Sequence, residues 1–151
     1  MKKLLLAILL LAFSSVLFAQ LDENPVTWKY EAKKKSAGVY EIVITANLDK
    51  PWHIYSQNTG KDGPIPTKIS FKANPLVSLD GIVKENGKLI KTYDNNFKTN
   101  VLFYAEQVQF VQTIKVKGNA KTNIAGTVEY MVCNDEKCLP PTKKSFDIKL
   151  M

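Results

Sequence analysis

From Val26 onward apolar and polar residues alternate with a period of two, and clusters of Gly, Pro, Asn and Asp interrupt the alternation at short intervals. Val26–Ala32 (VTWKYEA) sets Val26, Trp28 and Tyr30 on one side of an extended chain. Val39–Leu48 sets Tyr40, Ile42, Ile44 and Ala46 against Glu41, Thr45 and Asn47, and Ser36-Ala37-Gly38 predicts a hairpin turn between the two runs. Trp52–Ser56 predicts a short aromatic strand. Asn58–Pro66 (NTGKDGPIP) is too rich in Gly and Pro for regular structure. Lys68–Lys72 alternates again on Ile69 and Phe71, and a weaker strand is expected over Leu79–Lys84. Asn-Gly within Lys84–Lys88 (KENGK) predicts a second hairpin turn, and Thr92–Thr99 (TYDNNFKT) a polar loop carrying two aromatics. Val101–Ala105 and Val108–Lys117 read as two further strands, the second alternating on Val108, Phe110, Ile114 and Val116. Asn123–Val132 and Ser145–Leu150 complete the series. No segment after residue 19 sustains a helical period. So many short strands with regular turn signals predict an all-β, immunoglobulin-like β-sandwich.

The head of the chain follows another pattern. Lys2-Lys3 is a charged start, Leu4 to Phe13 an apolar run, and Ser14 to Ala19 leads to small residues. This is the layout of a secretory signal peptide over residues 1–19, too short and wrongly flanked to stay as a membrane anchor. Cleavage is expected between Ala19 and Gln20, although Leu17 occupies a position usually held by a small residue. No cysteine follows the apolar run, so a lipid anchor is not expected. Residues 20–151 then form one exported domain, periplasmic in location and not membrane-anchored after cleavage, with its cysteines in an oxidising compartment. That length supports a hydrophobic core of its own. The signal carries two lysines and no acid, so the formal charge of +7 falls to +5 on its removal. The lysines of the mature chain are scattered, with runs only at Lys33-Lys34-Lys35 and Lys143-Lys144, as on a solvated face. Nothing in them resembles a nucleic-acid motif.

The chemistry gathers in Gly126 to Phe146, GTVEYMVCNDEKCLPPTKKSF, which holds both cysteines of the chain, Cys133 and Cys138. A β-alternating run leads in, a polar Asn-Asp-Glu-Lys turn separates the thiols, and Pro140-Pro141 stiffens the exit. Closing so short a loop contributes only about 2 kcal/mol, against about 4.7 for a loop of a hundred residues. A staple placed for stability would tie distant strands, whereas exposed short-loop disulfides tend to be the labile or catalytic ones. A structural bridge in a non-enzymatic exported binding module is the alternative. Two cysteines alone do not complete a zinc site.

YMVCNDEKCLPPTKKSFDIKL resembles the C-terminal part of the N-terminal periplasmic domain of the thiol:disulfide interchange protein DsbD. That family pattern is an aromatic-containing strand, a Cys, a short polar loop, a second Cys, one residue, Pro-Pro and a final strand. The loop here is a shorter form, and the likeness extends more diffusely over most of the mature chain. The resemblance implies an immunoglobulin fold and a redox-active cysteine pair that needs no other cofactor. It further implies that Cys138 forms the intermolecular disulfide and Cys133 resolves it. Lys50–Gln57 (KPWHIYSQ) matches the segment whose aromatics approach the pair, which puts His53 and Tyr55 near the thiols. His53 is the single histidine of the chain; with an ordinary pKa of about 6.5 it is suited to help a thiol lose its proton, or it is simply a surface or packed histidine with no role. Asp94–Thr99 matches a cap loop whose aromatic, here Phe97, covers the pair until a partner arrives; the plain alternative is a loop pinned to the core by Phe97. Asn95 and Asn96 stand where the family pattern has two adjacent acids, and Thr99 where it has glycine. The implied partners are thioredoxin-like proteins and oxidised exported proteins. The full-length relative also carries a membrane electron-transfer domain and a thioredoxin-like domain. With the chain ending at Met151, a separate membrane electron-transfer protein is expected to supply reductant.

The signal segment makes one direct prediction. Mature protein from the native host should begin at or near Gln20 and fractionate as soluble, which N-terminal sequencing checks. Intact Met1 recovered with the membranes would refute export by cleavage.

Overall fold

The computed structural model describes residues 24–118 and 120–150, so the signal expected over residues 1–19 lies outside the described residues. Among the described residues the strands are β1 (Val26–Ser36), β2 (Val39–Leu48), β3 (His53–Tyr55), β4 (Lys68–Phe71), β5 (Val77–Asp94), β6 (Thr99–Val116), β7 (Thr122–Tyr130), β8 (Val132–Cys133) and β9 (Thr142–Leu150). They form two antiparallel sheets. The larger runs β1-β2-β6-β3-β8, with β5 also paired to β6, and the smaller runs β4-β7-β9. The all-β sandwich expected from the alternation is what these residues build.

The core lies between the sheets and is made of the residues the alternation points inward. Ile42, Ile44 and Ala46 of β2 meet Val108, Phe110 and Ile114 of β6, and β7 and β9 supply Ile124, Val128, Tyr130, Phe146 and Ile148 from the facing sheet. Aromatic rings join the layers: Trp28 of β1 packs 5.0 Å from Tyr130 of β7, and Tyr30 lies 5.5 Å from Phe146 of β9. Removing this apolar surface from water is the main driving force for the fold. The Ala37-Gly38 turn forms as expected, with Ser36 paired to Val39 and Gly38 at a φ of +70°.

Two expectations fail, and both failures shape the site. Asn86-Gly87 is not a turn, because Asn86 pairs with Gln109 and Gly87 with Val108 inside the β5–β6 ladder. A Cβ at Gly87 would stand 3.0 Å from the Gln107 carbonyl oxygen and 3.1 Å from the Tyr104 ring. Close approach of β6, rather than turn geometry, is what makes glycine fit there. The hairpin instead reverses beyond Asp94, which pairs with Thr99, so the polar stretch read as a loop is the tip of one long ribbon. Likewise the two strands read over Val101–Ala105 and Val108–Lys117 are a single strand, β6. It changes neighbour along its length, pairing with β3 through Phe103, Tyr104 and Ala105 and with β2 from Gln107 onward. Glu106, at a φ of +75°, stands at the change.

Candidate functional site

β3 is three residues long and divides its side chains between two environments. Ile54 is fully buried in the main core, while His53 and Tyr55 project from the opposite face of the larger sheet. On that face His53 stands across from Ala105 on one side and from Cys133 on the other, and Tyr55 stands across from Phe103. Directly opposed residues share a face with Cβ atoms about 5 Å apart. The result is a second, smaller cluster in which Tyr55, Val101 and Cys133 are each at most 2% exposed, with Phe103 and Met131 packed against them.

The cysteine loop is a tight hairpin built for its spacing. Cys133 and Cys138 form the disulfide as directly opposed residues, with their Cα atoms 4.0 Å apart. The Leu139 N–H donates to the Val132 carbonyl on one side, and the Asn134 N–H to the Lys137 carbonyl on the other, both at 2.9 Å. That leaves the cysteines as the close, non-hydrogen-bonded pair of an antiparallel ladder. Asn134 closes the turn with its side chain, its Oδ1 accepting the N–H groups of Glu136 and Lys137 at 2.9 and 2.8 Å. The Lys137 ammonium lies 5.9 Å from the centre of the Trp52 ring. The two sulfurs end in unlike surroundings, for Cys133 is 2% exposed whereas Cys138 is exposed.

The hairpin tip lies close by. Asp94 Oδ1 accepts the N–H groups of Asn96 and Phe97 at 2.8 and 3.2 Å, and Lys98 takes a φ of +54°. Phe97 is half-buried, its ring edge-on to Tyr55 with centroids 6.4 Å apart. Tyr55 therefore touches both the tip and the cluster that holds Cys133. Asn95 and Asn96 are exposed. They line a cleft of about 360 Å³ together with His53, Asp94, Asn134 and Asp135. His53 Nε2 lies 3.2 Å from the Tyr55 hydroxyl, and the imidazole packs on Phe103 at 4.4 Å between centroids. Burial holds His53 below the usual imidazole pKa, against the opposing pull of Asp135 and Asp94. Burial, aided by Asp94, pushes the Tyr55 phenol up to about 12.

All seven residues singled out from the sequence thus fall in one region. Sequence reasoning missed Glu85, which lies in the stretch read as a hairpin turn. Its carboxylate accepts the Ser56 hydroxyl and the Gln57 N–H at 2.6 Å each and the Tyr104 hydroxyl at 2.9 Å. It so ties β5 to the exit of β3 and to β6. Burial, with the bond to Glu85, raises the Tyr104 pKa. Among the described residues no three His, Cys, Asp or Glu side chains gather as a metal ion requires.

A sandwich with a surface hairpin carrying a disulfide, beside an aromatic ribbon tip, is the class these observations define. The family model described as thiol:disulfide interchange protein DsbD, N-terminal, matches residues 20–150. The chain belongs to that family, one of thiol–disulfide interchange. The N-terminal periplasmic domain of ScsB from Proteus mirabilis superposes with a TM-score of 0.62 at 17% identity, over 87% of this chain and 49% of that one. The chain thus spans about half of that relative's length. The DsbD N-terminal domain of Neisseria meningitidis in its reduced form gives 0.48 at 16% identity, covering 81% and 84% of the two chains. The GAE domain of yeast GGA1 gives 0.48 at 10%, covering 87% and 96%. At such identities the ScsB match speaks for the fold alone. A search of curated protein sequences returns no match.

The Tyr55 environment has a measurable consequence. Below pH 10 the phenol is neutral in folded and unfolded chains alike, so its burial does not oppose folding. Between pH 10 and about 12 only the unfolded chain releases the proton, and stability falls as pH rises. Tyr55→Phe should therefore lose less stability than the parent across that window, as read from denaturant midpoints at stepped alkaline pH.

Proposed function

We propose that this is an exported thiol–disulfide exchange domain with protein-disulfide reductase activity. It relays electrons through Cys133 and Cys138 between a thioredoxin-like donor and oxidised exported proteins. The observation that carries the reading is the inequality of the two sulfurs. Exchange needs a line of approach to one sulfur of the disulfide, with the other sulfur leaving along the same axis. An exposed Cys138 joined to a buried Cys133 supplies that arrangement. The thiolate of a reduced partner attacks Cys138, Cys133 leaves as a thiolate that then takes a proton from its surroundings, and the mixed disulfide holds the partner at the surface. In the donating direction Cys133 attacks Cys138 and releases the reduced partner. Family membership supports this chemistry, and the periplasmic relative supports export to the periplasm. A separate membrane electron-transfer protein would feed the donor. The ribbon tip Asn95-Asn96-Phe97 serves as the cap, a role supported by the contact of Phe97 with Tyr55, which itself packs with Cys133.

Cys133→Ser should accumulate a mixed disulfide between Cys138 and a thioredoxin-like partner, since no thiol remains to resolve it, while Cys138→Ser should trap far less. Both variants should stay folded, because the lost cross-link contributes about 2 kcal/mol of a typical 5–15. Equal trapping, read on non-reducing gels, would overturn the assignment of roles. The potential of the pair should lie well above the level of about −300 mV typical of structural bridges. A cap also predicts that Phe97→Ala speeds reduction of the disulfide by glutathione. Its cost in stability should stay below the 3–5 kcal/mol or so of a deleted core phenylalanine. A large loss of stability with unchanged reduction would make Phe97 a core anchor instead.

A further inference from the structure

Exchange through this pair poses a difficulty at Cys133. Once a partner is bound to Cys138, Cys133 must attack as a thiolate. It is 2% exposed and packed among Tyr55, Val101, Phe103 and Met131, surroundings that keep a thiol protonated. A base beside it on the same face would take that proton near neutral pH. Cross-strand register offers one, because His53 of β3 is the residue directly opposite Cys133 of β8. The other titratable groups around the imidazole are Tyr55 on its own strand, Tyr93 and Asp94 at the ribbon end, and Asp135 in the cysteine loop. β6 turns only Phe103 and Ala105 toward it. Asp94 is occupied by the turn N–H groups of Asn96 and Phe97, and Asp135 is exposed.

We infer that His53 is the proton acceptor of the buried thiol Cys133, with Tyr55 fixing the tautomer of the imidazole. The inference rests on the exchange reading given above. Nε2 lies at the Tyr55 hydroxyl, which leaves Nδ1 as the nitrogen able to take a proton when Nε2–H donates to the phenol oxygen. In the donating direction the Cys133 proton passes to Nδ1 and the thiolate attacks the sulfur of Cys138. The Cys133–Cys138 bond forms, and the bond from Cys138 to the partner sulfur breaks. The electron pair leaves with that sulfur, so the partner is reduced and the cysteine pair oxidised by two electrons. The imidazolium then returns its proton to the departing thiolate or to water. Burial holds the imidazole below its ordinary pKa, which favours the neutral form that can accept a proton.

The test needs no protein partner. Reduced protein is mixed with the aromatic disulfide dithionitrobenzoate in a stopped-flow instrument. The first thionitrobenzoate released marks modification of Cys138, and the second marks ring closure by Cys133. For the parent protein, closure should be flat with pH above the folded pKa of His53 and fall about tenfold per unit below it. His53→Gln should close on the order of 10²-fold more slowly at pH 7 and gain about tenfold per pH unit throughout, as hydroxide becomes the base. Tyr55→Phe should slow closure while keeping the plateau. A uniform slowing of His53→Gln with the parental profile would mean displacement of the cysteine rather than lost base, and would overturn the inference. So would an unchanged rate. Should His53→Gln fail to fold, the parent profile still decides, since steady acceleration to pH 8 and beyond without a plateau excludes an imidazole base. Failure here leaves the trapping of a partner by Cys133→Ser untouched, and failure of trapping leaves this closure measurement intact.

Discussion

The structure turns on the pleat of a three-residue strand. β3 can reach the cysteine pair with two side chains only because residues i and i+2 of a strand share one face and residue i+1 takes the other. Ile54, fully buried, fixes the strand to the core between the sheets, and that single anchorage sets the direction of both His53 and Tyr55. A slip of one residue would exchange the two faces, burying the imidazole in the core and presenting the isoleucine to the disulfide. Register here is therefore enforced by the cost of placing His53 among aliphatic side chains. β8 has only two residues and depends on the same strand, pairing through His53 with Cys133 and through Ile54 with Val132.

So short a strand needs support at its ends, and polar contacts provide it. The Trp52 N–H donates to the Asp49 carbonyl before β3, and the Ser56 N–H donates to the Leu102 carbonyl after it. The Thr67 hydroxyl donates to the Tyr55 carbonyl at 2.6 Å. Glu85 then holds the exit, accepting from both Ser56 and Gln57 while Tyr104 donates to it from β6. Hydrogen bonds to a charged acceptor are stronger than neutral ones, so one carboxylate replaces several weaker contacts. The arrangement also links the ribbon that carries Phe97 to the strand that carries Tyr55, because Glu85 belongs to the first and Ser56 borders the second.

Much of this was readable in the sequence, and what was not has physical reasons. Period-two alternation located the core of β2, β6, β7 and β9, since half-buried strands must write their burial in that form. It could not show that Val43 and Thr45 on the second face of β2 are buried as well. The Asn-Gly signal failed because glycine serves two purposes, and at Gly87 it yields space to the Tyr104 ring rather than freedom to the backbone. Moving the reversal from there to the residues after Asp94 changes the meaning of DNNFKT, from a loop between strands to the end of a long ribbon. The cysteine spacing and the Pro-Pro exit pointed to a short closed loop, but the burial of one sulfur and exposure of the other comes from β3 and β6, far away in the chain. Glu85 carried no local signal at all; its partners are 19 to 29 residues distant.

The neutral amides of Asn95-Asn96 leave few charges at the ribbon tip. Asp94 is one step earlier and is engaged by backbone donors, which shape the turn and offset its charge. A carboxylate facing the sulfurs directly would oppose thiolate formation by like-charge repulsion. Asn95 and Asn96 at the tip are neutral amides and add no such charge. Desolvation raises the pKa of a thiol and lowers that of an imidazole. For His53 the carboxylates of Asp94 and Asp135 oppose that lowering and do not overcome it. Burial thus holds His53 below its ordinary pKa, while Cys133, directly opposite it in the register, is itself only 2% exposed. Phe97, half-buried, stands edge-on to the Tyr55 ring at the border of that cluster. Ribbon tip and cysteine cluster are in this way joined through one tyrosine, which meets Phe97 on one side and packs with Cys133 on the other.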